Sequence, residues 1–194
     1  MLIYYLYYYC TMSLYETFKK SWKATLQKKL WKKNIHAVPV LDKVIVSMGI
    51  GSLATRKWVK DFSDLKENLR VITGQEPQMI LAKKSVSNFK LREGMPVMLK
   101  VTLRGKKAAD FIERMTSMAF PRVRDFSGIS LRKFDGFGNY TMWFKDQTVF
   151  PEIVPENVKT LMGVQVNICS TADTNEEAKA LFEELGIIFE KKEA

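Results

Sequence analysis

The chain has 194 residues, with 31 Lys and Arg against 21 Asp and Glu and a formal charge of +10. A chain of this length buries the core of one ordinary domain without a metal or disulfide staple. Two cysteines outside any CxxC pair, Cys10 and Cys169, and a single histidine, His36, leave no inventory for a disulfide framework, a metal cluster or a Cys–His or Ser–His couple.

The charge is divided along the chain. Residues 1–150 hold 27 Lys and Arg with 12 acids, whereas residues 151–194 hold 4 with 9. A polyanionic partner therefore belongs against the first three quarters of the molecule.

The opening run, MLIYYLYYYCT, is uncharged and too short to cross a bilayer, which takes about 20 apolar residues. It also lacks the basic start and cleavage site of a signal peptide. Met12-Ser13-Leu14-Tyr15-Glu16 behind it carries an S-x-x-E capping box. The expectation is a disordered extension or mis-assigned start over residues 1–12, with one domain over 13–194. The alternative is a membrane-dipping tail ahead of a basic helix.

From Ser13 to Lys33, Leu14, Phe18, Trp22, Leu26 and Leu30 recur every four positions, as on one stripe of an amphipathic helix. Its other faces carry seven lysines, which suit solvent, a membrane, a helix-binding groove or an RNA backbone alike. His36 reads as a capping or solvent-facing residue.

Leu41 to Met48 reads as a strand. Gly49-Ile50-Gly51 after it lacks the third glycine of a dinucleotide turn. A second helix is predicted over Lys57–Val71 with Trp58, Phe62, Leu65 and Leu69 on one face, followed by a TGQEP turn and a short strand, Gln78–Leu81. Val97 to Arg104 alternates. Val97, Leu99, Val101 and Leu103 share one face, and Met98, Lys100, Thr102 and Arg104 the other, which suits a sheet lying on nucleic acid.

A third helix, Lys106–Ala119, turns Phe111, Ile112, Met115 and Met118 inward. Tyr140–Phe144 and Gly163–Ser170 are further strands, and Thr174 or Asn175 caps a last acidic helix, Glu176–Leu185. The pattern is α+β: a mostly antiparallel five-stranded sheet with helices covering one face, the other face binding RNA.

Between the strands Gln78–Leu81 and Val97–Arg104 lies AKKSVSNFKLREGMP, residues 82–96, with four Lys or Arg in fifteen positions. Phe89 inside it is suited either to stacking on a base or to anchoring the loop. The carboxylate pairs Asp61/Asp64 and Glu176/Glu177 sit among helix-surface charges, and Asp135-Gly136-Phe137-Gly138-Asn139 has too few carboxylates for a cation loop. No catalytic residue, metal or cofactor is expected.

The segments LDKVIVSMGIG, ITGQEPQMILAKKSVSNFKLREGMPVMLKVTLRG, FPRVRDFSGIS, KFDGFGNYTMWFKDQTVFPEI and STADTNEEAKALFEELGI follow one another in the order of a single family. Over about residues 13–190 the chain resembles the bacterial form of large-subunit ribosomal protein five, which binds 5S rRNA in the central protuberance. The resemblance implies a cytoplasmic, ribosomal, non-enzymatic scaffold, monomeric off the ribosome, with no membrane partner. Its implied partners are 5S rRNA, large-subunit rRNA, P-site tRNA, small-subunit ribosomal protein thirteen and neighbouring protuberance proteins.

By the same resemblance, 5S rRNA contacts fall to Ser47, Gln75 and Thr102, with Lys100 and Arg104 beside them. Ser47 stands where most relatives have Asn. The tRNA contacts fall to Lys83, Lys84, Ser85, Asn88, Lys90 and Arg92. The intersubunit contacts fall to Arg122, Arg124, Asp125, Asp135 and Asn139, with Phe137 where relatives commonly have Arg. A peripheral membrane protein and an RNA-binding module acting off the ribosome are the rival readings.

Overall fold

A computed structural model describes residues 23–56, 61–124 and 126–190. The expectations for the Tyr-rich start, Cys10, the Ser13–Glu16 capping box, the first half of the lysine helix, Trp58 and Asp125 lie outside these residues.

The elements in chain order are α1 (Lys23–Lys29), β1 (Leu41–Gly49), α2 (Gly51–Arg56), α3 (Ser63–Thr73), β2 (Gln78–Leu81), β3 (Pro96–Arg104), α4 (Lys106–Arg114), β4 (Tyr140–Phe144), β5 (Val164–Ser170) and α5 (Asn175–Glu184). The strands form one five-stranded sheet in the order β2-β3-β1-β5-β4, antiparallel at every pairing. The α+β architecture expected from the sequence is the one observed.

The sheet's two faces follow from period-two alternation. Val44, Val46 and Met48 of β1 are buried with Leu99, Val101 and Leu103 of β3, Val166 and Ile168 of β5, and Tyr140 and Met142 of β4. The apolar stripes of the helices join the same core: Leu65, Leu69 and Ile72 from α3, Phe111 and Ile112 from α4, and Ala178, Leu181 and Phe182 from α5. Residues between these positions along the strands make up the sheet's open face.

Two helices depart from their predicted bounds. The periodicity from Trp58 to Leu69 crosses a break, because α3 begins only at Ser63, where the Asp61 carboxylate accepts the Ser63 backbone N–H at 2.9 Å. The carboxylate satisfies one of the helix's first free N–H groups, one residue ahead of its N-cap, Phe62. At the end of α4 the chain opens into a π turn over Met115–Ala119. The wider turn favours an i+4 over an i+3 partner for Met115, so Ala119 is buried and Met118, expected inside, is exposed.

The last helix is capped by Thr174, whose side chain accepts from the Glu177 N–H. Its glutamates account for the charge division in the sequence. Lys29 lies 3.2 Å from Glu183, and Lys32 lies 2.6 Å from Glu177. The acidic end of the chain thus receives part of the basic beginning, with Leu26 buried beside it. Among the described residues, no helix is long and apolar enough to cross a membrane.

Candidate nucleic-acid interface

Strand register assembles the open face in rows. One row reads Gln78, Lys100, Ser47, Gln165 and Trp143 across all five strands. The next reads Thr102, Ile45, Asn167 and Thr141, and a third reads Arg104, Lys43 and Cys169. The surface is polar, partly aromatic and short of acids.

Gln75 joins this surface through the turn that ends α3. Gly74 takes a left-handed φ of 66° and donates its N–H to Arg70 O, closing the helix. Thr73 is buried and donates its hydroxyl to Leu69 O at 2.7 Å. Gln75 then lies beside β3 ahead of the start of β2, and its Nε2 donates to the Thr102 carbonyl at 3.4 Å. It occupies the place where β2 would otherwise pair.

The five residues expected to meet 5S rRNA therefore come together on the β1–β3 half of the open face, though in different states. Ser47 is only 5% exposed, between Lys100 and Gln165, and makes no side-chain hydrogen bond among the described residues. Lys100 is half-buried without an ion pair among those residues. Arg104 is paired with Asp42 at 3.0 Å, so part of its charge is already answered.

Gln78, Gln165, Asn167, Thr141 and Trp143 belong to the same surface but escape a reading of single segments. The alternation V-Q-V-N-I-C of β5 is their only local signal. Gln165 donates to Asn167 Oδ1 at 3.0 Å along that strand. Cys169, partly buried nearby, has its thiol pushed up chiefly by desolvation.

The basic segment is an ordered hairpin extending β2 and β3, not an open loop. Ala82 N–H donates to Met95 O at 2.8 Å, Gly94 N–H to Ala82 O at 3.0 Å, and Val86 and Leu91 form a bridge. The tip is a tight turn, Ser87–Phe89, closed by Lys90 in the left-handed region at φ 53°. Ser85 Oγ accepts from Glu93 N–H at 3.0 Å, holding the far arm. Lys83, Lys84, Lys90 and Arg92 are exposed without ion pairs among the described residues, and Asn88 is exposed at the tip. Phe89 is 75% exposed, which excludes the core-anchor reading and leaves a ring presented to a partner.

At the other end of the sheet, Arg122 and Arg124 are exposed and unpaired among the described residues. Asp135 and Asn139 are engaged within the protein. Asp135 Oδ1 accepts from Phe137 N–H at 2.9 Å and Asn139 N–H at 3.0 Å, and its Oδ2 accepts from Asn139 Nδ2 at 2.7 Å. Asn139 Oδ1 accepts in turn from Ser170 N–H at 3.3 Å. The result is a tied loop displaying Phe137, which is 75% exposed.

Desolvation alone would raise the Asp135 carboxyl, but these hydrogen bonds outweigh it and hold the group below its ordinary value of 3.8. A depressed folded value stabilises the loop above the ordinary value, and that stability is lost as pH falls through the folded one. The Phe137 and Asn139 amides should thus keep their exchange protection down to about pH 4 and lose it below, and Asp135→Ala should remove the protection at neutral pH. Protection unchanged in the variant would show that the loop is held by other contacts.

Comparison with known proteins agrees with this architecture. The family model described as "Ribosomal protein L5" matches residues 34–92, and the model of the same ribosomal family's C-terminus matches residues 96–189. The two segments meet at the basic hairpin, and their strands interleave in one sheet. The large ribosomal subunit protein uL5 of Mesoplasma florum is 49% identical over 86% of this chain and 91% of its own. Those of Natranaerobius thermophilus and Thermosipho melanesiensis are 44% and 42% identical, over 91% and 92% of this chain and 97% of each of theirs. On a sheet of this topology, identity of this depth along nearly the whole chain leaves one assignment: the chain belongs to the ribosomal protein L5 (uL5) family.

Proposed function

We propose that this protein is a structural, non-catalytic component of the large subunit of cytoplasmic ribosomes, binding 5S rRNA on the open face of its sheet and joining it to large-subunit rRNA. The observation that carries the reading is the polar surface around Thr102, Gln75 and Ser47, with unpaired Lys100 within it and four unpaired cations on the adjoining hairpin. Lys and Arg contacts to phosphate provide affinity. Hydrogen bonds from Gln75 and Thr102 select the RNA's shape.

On this reading the hairpin reaches P-site tRNA. The Arg122–Asn139 region faces the small-subunit head and its protein thirteen, with Arg122 and Arg124 supplying charge and Phe137 an apolar tip. The names of the relatives support the large-subunit location, and the division of charge and polarity over the surface supports the separate contacts.

The test is filter binding of 5S rRNA at fixed salt. Gln75→Ala and Thr102→Ala should each weaken the complex by about 1–3 kcal/mol, by leaving an RNA group unpaired. Gln75→Ala also removes the bond to the Thr102 carbonyl, so its thermal midpoint is measured in parallel. Unchanged affinity for both variants would place the RNA on another surface.

A further inference from the structure

Trp143 closes the polar row at the β4 edge of the open face, and the contacts assigned so far make no use of it. It is 60% exposed, and its indole N–H has no partner among the described residues. The ring rests over Gly163: a Cβ there would fall 2.8–2.9 Å from Nε1, Cε2 and Cζ2. Only the missing side chain at 163 lets the indole sit where it does.

Trp143 also lines a cavity of about 850 Å³ beside the edge strand, together with Arg122, Arg124, Lys133 and Lys145. None of these four cations has an ion pair among the described residues, and the described acids of the lining are Asp146 and Glu190. A volume of this order admits a nucleotide, since ligand sites run from about 300 to 1,000 Å³.

We propose that Trp143 stacks on the base of one unpaired nucleotide of ribosomal RNA, whose flanking phosphate lies against Lys145 on the same side of the cavity. The inference rests on the ribosomal reading above and extends it, because Trp143 lies three strands from Thr102, about 14 Å away. An aromatic face with unpaired cations around it is the chemistry that holds single-stranded nucleotides. It needs no particular base, since every base has a π face. Gly163 acts as a positioning residue, keeping the indole on its perch.

The experiment is binding of the full chain to two probes, a 5S rRNA transcript and large-subunit rRNA extracted from ribosomes. Trp143→Ala should lose about tenfold or more on at least one probe, whereas Trp143→Phe, which keeps a ring, should lose less than about threefold. Gly163→Ala retains the indole but displaces it, and should fall toward the Trp143→Ala level. Unfolding midpoints control for folding. In wild-type ribosomes, ultraviolet crosslinking should place a nucleotide adduct on the peptide carrying Trp143.

If both Trp143→Ala and Gly163→Ala bind both probes as wild type does, while Gln75→Ala weakens, the inference is overturned and the ribosomal reading stands. If Gln75→Ala is equally silent, the sheet-face reading fails with it. Subunit-association loss in Trp143→Ala with intact RNA binding would make this a protein contact and also overturn the proposal.

Discussion

Phe182→Ala is expected to cost about 3–5 kcal/mol of folding stability, the range for deleting a large aromatic from a closed core. Phe182 is fully buried, stacked on Phe134 at 5.9 Å and edge-on to Tyr140 at 6.3 Å. Phe134 and Tyr140 also meet Phe189, so the substitution removes the ring by which α5 joins an aromatic cluster with β4. The tyrosine cannot move to fill the space cheaply. Its hydroxyl donates to Ser130 O at 2.9 Å, and burial pushes its pKa up to about 12. Urea denaturation measures the loss. Phe137→Ala, at an exposed ring beside the same cluster, should stay within about 0.5 kcal/mol of wild type. A loss below about 1.5 kcal/mol at Phe182 would mean that the core relaxes around the cavity.

The second large effect concerns function. Replacing Lys83, Lys84, Lys90 and Arg92 together by Ala should leave 5S rRNA affinity within about threefold at physiological salt, where the screening length is about 8 Å. The same variant, assembled into ribosomes, should retain P-site tRNA poorly, and the salt dependence of that retention should flatten by a slope of about 3, as expected for four lost phosphate contacts. The hairpin is closed by backbone hydrogen bonds and the Val86–Leu91 bridge, so its fold does not depend on the charges removed. Equal loss in the purified 5S complex would move the hairpin onto that RNA instead, and unchanged tRNA retention would remove its assigned partner.

What the two experiments probe was legible in the sequence to different degrees. The alternation of Val97–Arg104 assigns each residue of the strand to a face, and burial follows it from Leu99 to Arg104, with Leu99, Val101 and Leu103 buried and Lys100, Thr102 and Arg104 more open. The basic segment between two short strands is equally plain as a composition. Its closure into a hairpin with Phe89 at the tip is not, because that depends on backbone pairing across the turn.

Local periods also mislead where a break carries no special residue. The stripe from Trp58 to Leu69 runs through the turn at Asp61–Phe62, and the π turn after Arg114 exchanges Met118 for Ala119 without a proline or glycine to announce it. The bonds of Asp135 and Asn139 with each other, and of Asn139 with Ser170 at the end of β5, are likewise not announced by their place in a motif.

The alternating faces, the excess of cations in the first three quarters of the chain and the family are all legible in the order of residues alone. These are local or compositional properties, set by a period of two in strands, by 3.6 in helices and by net charge. Which residues become neighbours is set by the fold: Gln75 bonded to Thr102, Lys32 against Glu177, and the row from Gln78 to Trp143. Those meetings depend on strand order and register between segments far apart in the chain, which are fixed only when the apolar faces close on one core.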